Sequence, residues 1–221
     1  MGAGGGYGAF GKIPALGDFF RFDLSPGFIA LWDGWLQAGI QAARAEMGEA
    51  WQEAYLSAPI WRFTLAAGLA GASPVQGIFM ASVDRVGRQF PLTLARALPS
   101  GTDPLALHLA TDFHGPETIA LQMLEDGADQ EGLKRALAAL PAAAPPPVSA
   151  APQAAPGWLQ LFSPDPARAL AATLARQRFT RPAIFTALGA QGEVLYLSEG
   201  LPPPARFRQF FTPDSTGETA S

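Results

Sequence analysis

The chain has 221 residues, of which 48% are hydrophobic and 15% are charged, so it can build one large domain or two small ones around a substantial core. Its formal net charge of −4 argues against general nucleic-acid binding, which needs a strong basic footprint. Cysteine is absent, which excludes a disulfide framework, a thiolate zinc site and a cysteine nucleophile and favours a reducing cytoplasm.

The N-terminal region predicts a short strand over residues 7–13 and a turn over 14–18. Gly6, Gly11 and Lys12 have the spacing of a phosphate-binding loop, but the match fails on two counts. Ile13 replaces the Ser or Thr that would hold magnesium, and too few residues precede Gly6 to form the strand that feeds such a loop. No apolar run approaches the roughly 20 residues that span a bilayer, and a signal peptide is not evident, so we expect no direct membrane insertion.

A long helix is predicted to begin at Ser25-Pro26, where a capping residue precedes a proline, and to end at Gly48. Large apolar residues follow at helical spacing and predict a core-facing stripe: Phe28, Leu31, Trp32, Trp35, Leu36, Ile40 and Met47. Residues 49–56 predict a further short helix. Residues 61–65 alternate and predict a strand, on which Arg62 and Thr64 share the face opposite the aromatic residues.

A hairpin is predicted at the centre of the chain, with strands over residues 75–81 and 90–98 and a turn over 84–87. The turn region carries Asp84, Arg85 and Arg88 between two runs that should be buried. One interpretation is an ordinary turn whose aspartate accepts backbone hydrogen bonds while its arginines lie in water. The other is a fixed ion-pair platform or docking patch at the end of a sheet.

Three helical segments are predicted next, from residue 102 onward, over 117–125 and over 129–140. His108 and His114 lie in or near the first two. Their spacing of six does not place them on one helical face, and no set of Asp or Glu completes a metal site with them. We therefore expect ordinary helix and loop histidines, and neither a metal nor a cofactor.

Proline and alanine dominate residues 141–157, which predict an extended connector. The last third predicts a strand over 158–162, a helix from Asp165-Pro166, a hairpin with strands over 183–188 and 194–197, and a helix over 205–211. Residues 212–221 are polar and predict a disordered tail. Six arginines make this third basic, and we interpret them as a solvated face: Arg168, Arg176, Arg178, Arg181, Arg206 and Arg208.

No catalytic motif is evident, since the chain has no GxSxG elbow, HExxH pair, calcium-binding EF-hand loop or strand-associated GxGxxG turn. Four stretches nevertheless resemble the TagF (ImpM) family of type VI secretion accessory proteins. Three of them are FGKIPALGDFFR at 10–21, WQEAYLSAPIWRF at 51–63 and GIFMASVDRVGRQFPLTL at 77–94, and the fourth, weaker one is Gly200-Leu201-Pro202. Ala81 and Gln89 depart from the family pattern, which commonly has a proline and an aromatic residue there.

The resemblance implies a cytoplasmic, non-enzymatic regulator that represses type VI secretion after translation. It implies a protein partner, such as a scaffold with a forkhead-associated domain, and a three-layer α/β sandwich with a mixed or largely antiparallel sheet flanked by helices. Residues 1–140 would form the TagF-like core, and 158–211 would complete the same domain beyond the connector.

Six charged residues match motif positions of the family and are our binding or structural polar cluster: Lys12, Asp18, Arg62, Asp84, Arg85 and Arg88. We expect the motifs at 10–21, 60–63 and 82–92 to meet in space, because a buried charge needs a partner. The alternative is a small-ligand-binding or enzymatic domain with a polar pocket built from this cluster without Arg85. An open pocket that contains a carboxyl group with a strongly shifted pKa would favour the alternative, and fixed ion pairs would favour the interaction protein.

Overall fold

The computed structural model describes residues 5–142, 153–155, 158–160 and 166–213. Its strands are β1 (Gly8–Gly11), β2 (Phe20–Phe22), β3 (Trp61–Leu65), β4 (Val75–Met80), β5 (Leu92–Ala97), β6 (Gln153–Ala155), β7 (Trp158–Gln160), β8 (Pro182–Gly189) and β9 (Gly192–Glu199). Its α-helices are α1 (Pro26–Met47), α2 (Trp51–Leu56), α3 (Pro104–Ala110), α4 (His114–Gln122), α5 (Gln130–Ala139), α6 (Pro166–Arg178) and α7 (Arg208–Phe211). Single 3₁₀ turns cover Gly48–Ala50 and Pro204–Arg206.

Seven of these strands form one antiparallel sheet in the order β2-β1-β5-β4-β3-β8-β9. Alternate residues of β4 show how the two faces are covered: Phe79 packs with α1, α2 and the C-terminal aromatic residues, whereas Ile78 packs with α4 and α5. Farther along the second face, α3 and α6 pack against Ile184 of β8. Helices therefore lie on both faces of the sheet, which confirms the predicted α/β sandwich with an antiparallel sheet.

The long helix α1 supplies the largest part of the first face. Ser25 caps it by accepting a hydrogen bond from the backbone N–H of Phe28 at 3.2 Å, as its sequence predicts. Trp32 is fully buried and donates its indole N–H to Thr93 on β5 at 2.9 Å. Trp35 donates to the carbonyl of Pro202 at 2.8 Å. The aromatic stripe thus joins the helix both to the sheet and to the C-terminal segment.

The last third of the chain adds to the same sheet. β8 pairs with β3 through Arg62↔Thr186 to Leu65↔Ala183, and β9 follows β8 at the sheet edge. The C-terminal residues 207–211 return to the first face, where Trp61 donates its indole N–H to the carbonyl of Phe210 at 2.8 Å. The predicted helix over 205–211 is a 3₁₀ turn followed by the short α7.

Several local predictions differ from the structure. β2 was not predicted, because three residues are too short to show an alternating pattern; it becomes a strand by pairing with β1. β6 lies inside the predicted connector and pairs with β7 in a separate two-stranded sheet. The remainder of the connector from residue 143 and the predicted tail from residue 214 lie outside the described residues, as do Asp165 and the end of the predicted strand 158–162.

Candidate functional site

The candidate site is built around the turn that follows β4. Asp84 accepts hydrogen bonds on Oδ1 from the backbone N–H groups of Val86 and Arg88, at 3.1 and 2.9 Å. Its own backbone N–H donates to the carbonyl of Arg88 at 3.1 Å, and its carbonyl accepts from the N–H of Gly87 at 2.8 Å. Gly87 has a φ of +81°, which favours glycine at this position. One side chain therefore fixes the conformation of the whole 84–88 turn.

Two cations share the other oxygen of the same carboxylate. Lys12 Nζ lies 3.0 Å from Asp84 Oδ2, and Arg88 Nε lies 2.6 Å from it. Lys12 and Asp84 are 6% and 2% exposed, whereas the Arg88 side chain extends into solvent. Lys12 reaches this point because Gly11 lets β1 approach residue 91 closely: a Cβ on Gly11 would lie 2.0 Å from the carbonyl oxygen of Pro91.

The charge state of Asp84 follows from these contacts. Burial alone would raise the pKa of this carboxyl, because a carboxylate loses its hydration in the interior. Hydrogen bonds from the Arg88 backbone, the Lys12 and Arg88 side chains and the Val86 backbone outweigh burial and hold the pKa below its ordinary value of 3.8. Asp84 is therefore a fixed carboxylate at neutral pH, which suits an ion-pair anchor and does not suit a general acid.

The turn interlocks with the loop that follows β1. The backbone N–H of Arg85 donates to the carbonyl of Leu16 at 2.9 Å, and Arg88 Nη2 donates to the carbonyl of Gly17 at 2.7 Å. The Arg85 side chain passes so close to Gly17 that a Cβ there would lie 3.4 Å from its guanidinium. Lys12 Nζ also lies 5.1 Å from the centre of the Phe19 ring. The family motifs at 10–21 and 77–94 therefore meet at this point.

The motif at 51–63 joins them through a tyrosine. Tyr55 on α2 is fully buried and donates its hydroxyl to the carbonyl of Ser82 at 2.8 Å, while the N–H of Ser82 donates back to that hydroxyl at 3.1 Å. The Ser82 hydroxyl donates to the carbonyl of Lys12 at 2.8 Å. Burial raises the pKa of Tyr55 and keeps it neutral. Three separated stretches of sequence thus converge on residues 82–84.

The six predicted cluster residues do not all meet. Lys12, Asp84 and Arg88 form one network, and Arg85 is held beside it by its backbone. Asp18 is exposed and accepts a hydrogen bond from the N–H of Phe19 at 2.7 Å. No ion pair joins it to this network in the described part of the chain.

Arg62 lies elsewhere, on the opposite face of the sheet from the core that contains Trp61. It forms a two-pronged pair with Glu117 of α4, with contacts of 2.5 and 3.2 Å, and a longer contact of 3.4 Å with Glu193. The hydrogen bond to Glu117 is the main cause that raises the pKa of Arg62. The motif at 60–63 therefore meets the others through its backbone and core residues, and its arginine serves a separate helix-to-sheet contact.

A polar network that the sequence did not predict lies under the second face. His108 on α3 is 4% exposed and lies between two threonine hydroxyls, 2.8 Å from Thr64 Oγ1 and 3.0 Å from Thr186 Oγ1. Gln76 extends the network by donating to Thr64 at 3.4 Å and accepting from Arg96 at 3.2 Å. His108 is therefore a buried sheet-to-helix contact and not an ordinary helix histidine. The signal available in sequence was Thr64, which alternates onto the same face as Arg62.

The surroundings keep His108 neutral. Burial, and secondly the positive charge of Arg62, lower its pKa to about 3. A neutral imidazole has one donor and one acceptor nitrogen, and two threonine hydroxyls satisfy both. Across the described ranges, no three His, Asp or Glu side chains are grouped as a metal ion would need. No helix in those ranges is long and apolar enough to cross a bilayer.

Comparison with known proteins gives two findings. The sequence profile described as "TagF N-terminal domain, Type VI secretion system-associated" matches residues 8–140. The crystal structure of PA0076 from Pseudomonas aeruginosa PAO1 is similar to this chain, with a TM-score of 0.79, 36% sequence identity and coverage of 97% of both chains. None of the curated protein sequences matches the chain significantly.

Proposed function

The chain belongs to the TagF family of type VI secretion-associated proteins, and on that premise we propose that it lowers type VI secretion after translation by binding a cytoplasmic component of the apparatus. The family makes it a type VI secretion accessory protein. The partner that we propose is a scaffold protein with a forkhead-associated domain. The role that we propose for the chain is regulation by protein–protein contact in the cytoplasm, without catalysis.

The observation that carries this proposal is the rigid presentation of Arg85. The turn on either side of this residue is fixed, because the Asp84 side chain accepts hydrogen bonds from the backbone N–H groups of Val86 and Arg88. Arg85 itself is exposed, and within the described ranges no carboxylate pairs with its guanidinium. Because the backbone of Arg85 is already ordered, binding has to order only its side chain, and arginine is a common anchor in interfaces.

The alternative, an enzymatic or small-ligand pocket lined by Lys12, Asp18, Arg62, Asp84 and Arg88, has weaker support. Lys12 and Asp84 are buried against each other, and the contacts of Asp84 hold it in the charged form. Arg62 is engaged with Glu117 on the other face of the sheet. The fixed ion pairs favour the interaction protein over a pocket whose carboxylate could exchange protons.

The test is overexpression of the chain in a cell that carries an active type VI secretion system. We expect release of the secreted tube protein to fall while its cellular level and its transcript stay constant. Arg85→Glu should weaken this suppression without unfolding the domain. The matched control is Arg135→Glu, an equal charge reversal at an exposed arginine of α5 on the opposite face of the sheet.

Two results would contradict parts of the proposal. A fall in transcript would contradict post-translational action. Full suppression by Arg85→Glu would contradict the position of the contact and direct attention to Arg178 and Arg181 in the basic last third. The partner is tested separately by affinity capture from cells that express the secretion genes, in which the forkhead-associated scaffold should bind the wild type and not Arg85→Glu.

A further inference from the structure

A groove lies beside the 84–88 turn, between α1, α2 and residues 87–90. It consists of two adjoining hollows of about 400 and 510 Å³, which share Ile40, Arg44 and Gln89. The first hollow continues to Trp51 and Arg88, and the second follows α1. Because the hollows share three lining residues, they form one continuous surface along α1.

Several hydrogen-bond donors of the groove have no acceptor among the described residues. Trp51 donates its indole N–H to Gln89 Oε1 at 2.7 Å, and an indole can only donate, so Gln89 presents its oxygen there. Its NH₂ group has no acceptor within the described ranges. Arg88 uses Nε for Asp84 and Nη2 for Gly17, which leaves Nη1. Arg44 is exposed, and no partner binds its guanidinium in the part of the chain that the structure describes.

The lining also lacks negative charge, since no Asp or Glu belongs to either hollow. Its remaining polar groups are the amides of Gln41 and Gln52 and that of Gln37, which already donates to Asp33 Oδ1 at 2.9 Å, and its apolar parts come from Ile40, Trp51 and Phe90. A ligand that complements this surface must supply acceptors and negative charge over an apolar base. Carboxylates meet that need, because an arginine fork matches the two oxygens of a carboxylate.

We propose that this groove binds an acidic, extended segment of a partner protein, with side-chain carboxylates on Arg44 and Arg88 and backbone carbonyls on the glutamine amides. The proposal rests on the proposed function, because the partner is the component of the secretion apparatus that the chain binds. It adds a second contact surface beside the turn that carries Arg85, and states the chemistry that the partner must present there.

The charge of the groove favours carboxylate over phosphate. Two cations share the Asp84 carboxylate, so the Lys12–Asp84–Arg88 network carries one net positive charge, and Arg44 adds a second from α1. Single carboxylates match these two charges one to one, whereas a phosphoryl group concentrates nearly two negative charges at one point and pairs best opposite a cluster of arginines.

Binding is measured by fluorescence anisotropy on the full chain with a labelled short peptide that alternates glutamate and serine. We expect saturable binding that weakens as salt rises, because the contacts are exposed ion pairs. The matched peptide with glutamine in place of glutamate should not bind. Arg44→Glu should weaken binding by roughly tenfold or more. Gln41→Glu adds a negative charge to the groove wall without removing a cation, so it should repel the glutamate peptide and weaken binding. Arg135→Glu, which lies outside the groove, should bind the peptide as the wild type does.

Four results would overturn the proposal: no binding of the glutamate peptide, equal binding of the glutamine peptide, unchanged binding by Arg44→Glu, or roughly tenfold tighter binding of a peptide with phosphoserine in place of glutamate. The secretion assay separates this inference from the proposed function. If the wild type suppresses secretion and Arg44→Glu suppresses it equally, the groove is not the contact and the function stands. If the wild type does not suppress secretion, the proposed function itself fails.

Discussion

Gly39 of α1 lies directly against the ring of Phe207. A Cβ on residue 39 would stand 2.1 Å from Cδ2 of that ring, well inside any permitted contact. The absence of a side chain at this helical position is what lets residues 207–211 reach the core beside Trp35, whose ring centre is 4.6 Å from that of Phe207. A single glycine in the first half of the chain thus determines how the last residues pack.

We therefore expect Gly39→Ala to destabilise the protein, although alanine is the better helix former. Overpacking of this kind costs about 1–3 kcal/mol and outweighs a gain in helix propensity of about 1 kcal/mol. Gly34→Ala on the same helix is the matched control, because a Cβ there meets nothing within 4 Å, and it should stabilise by up to about 1 kcal/mol. Urea unfolding measures the change in the free energy of unfolding of both variants. Equal effects of the two substitutions would contradict the packing argument.

Asp84→Asn should lower stability at neutral pH by more than Asp18→Asn does. The amide keeps the shape of the side chain but leaves the buried Lys12 without its counter-charge. The exposed Asp18 has no such partner in the described residues, so its substitution should change the urea midpoint little. If the two variants have the same midpoint, the Asp84 network does not stabilise the fold.

The same carboxylate predicts loss of stability in acid. The pKa of Asp84 is lowered in the folded state, so as the pH falls below the ordinary value of 3.8 the unfolded chain takes up a proton that the folded chain still resists. The free energy of unfolding should therefore decline below about pH 4. Asp84→Asn should reduce this decline relative to the wild type. If the free energy of unfolding falls with pH as steeply in Asp84→Asn as in the wild type, the prediction is wrong.

His108 predicts a second loss of stability, over a higher pH range. Its pKa is lowered to about 3 in the fold, against an ordinary 6.5, so the unfolded chain binds a proton first as the pH falls below 6.5. The free energy of unfolding should fall by up to about 1.4 kcal/mol per pH unit between pH 6 and 4. His108→Gln can keep hydrogen bonds to Thr64 and Thr186 but cannot titrate, so the slope should flatten. His114→Gln, which removes the exposed histidine of α4, is the matched control.

Deleting residues 143–150 should leave the melting temperature nearly unchanged. The segment consists of alanine and proline with a single valine and serine, so it has little apolar surface to bury, and shortening a loop changes its closure entropy only slightly. Trp32→Ala is the reference for a core truncation, because Trp32 is fully buried, and it should cost about 3–5 kcal/mol. A deletion that lowered the melting temperature as far as Trp32→Ala would mean that this segment packs against the domain.

Features that depend on neighbouring residues along the chain could be predicted from the amino-acid sequence. The capping Ser25 and Pro26 predicted where α1 begins, and the alternation at residues 61–65 placed Arg62 and Thr64 on one face, because caps and side-chain periodicity are local properties. The resemblance of residues 10–21, 51–63 and 77–94 to one family predicted the α/β sandwich and the type VI secretion association, both of which were confirmed.

Which charged residues meet depends on how the strands and helices pack in three dimensions. The sequence grouped Arg62 with Asp84, but Arg62 lies on the second face of the sheet and pairs there with Glu117 of α4. In the same way, His108 acquires its environment only because β3 and β8 pair side by side and place Thr64 and Thr186 on either side of the ring. Charge pairing and burial depend on residues that are distant in sequence, so no local pattern could assign these partners.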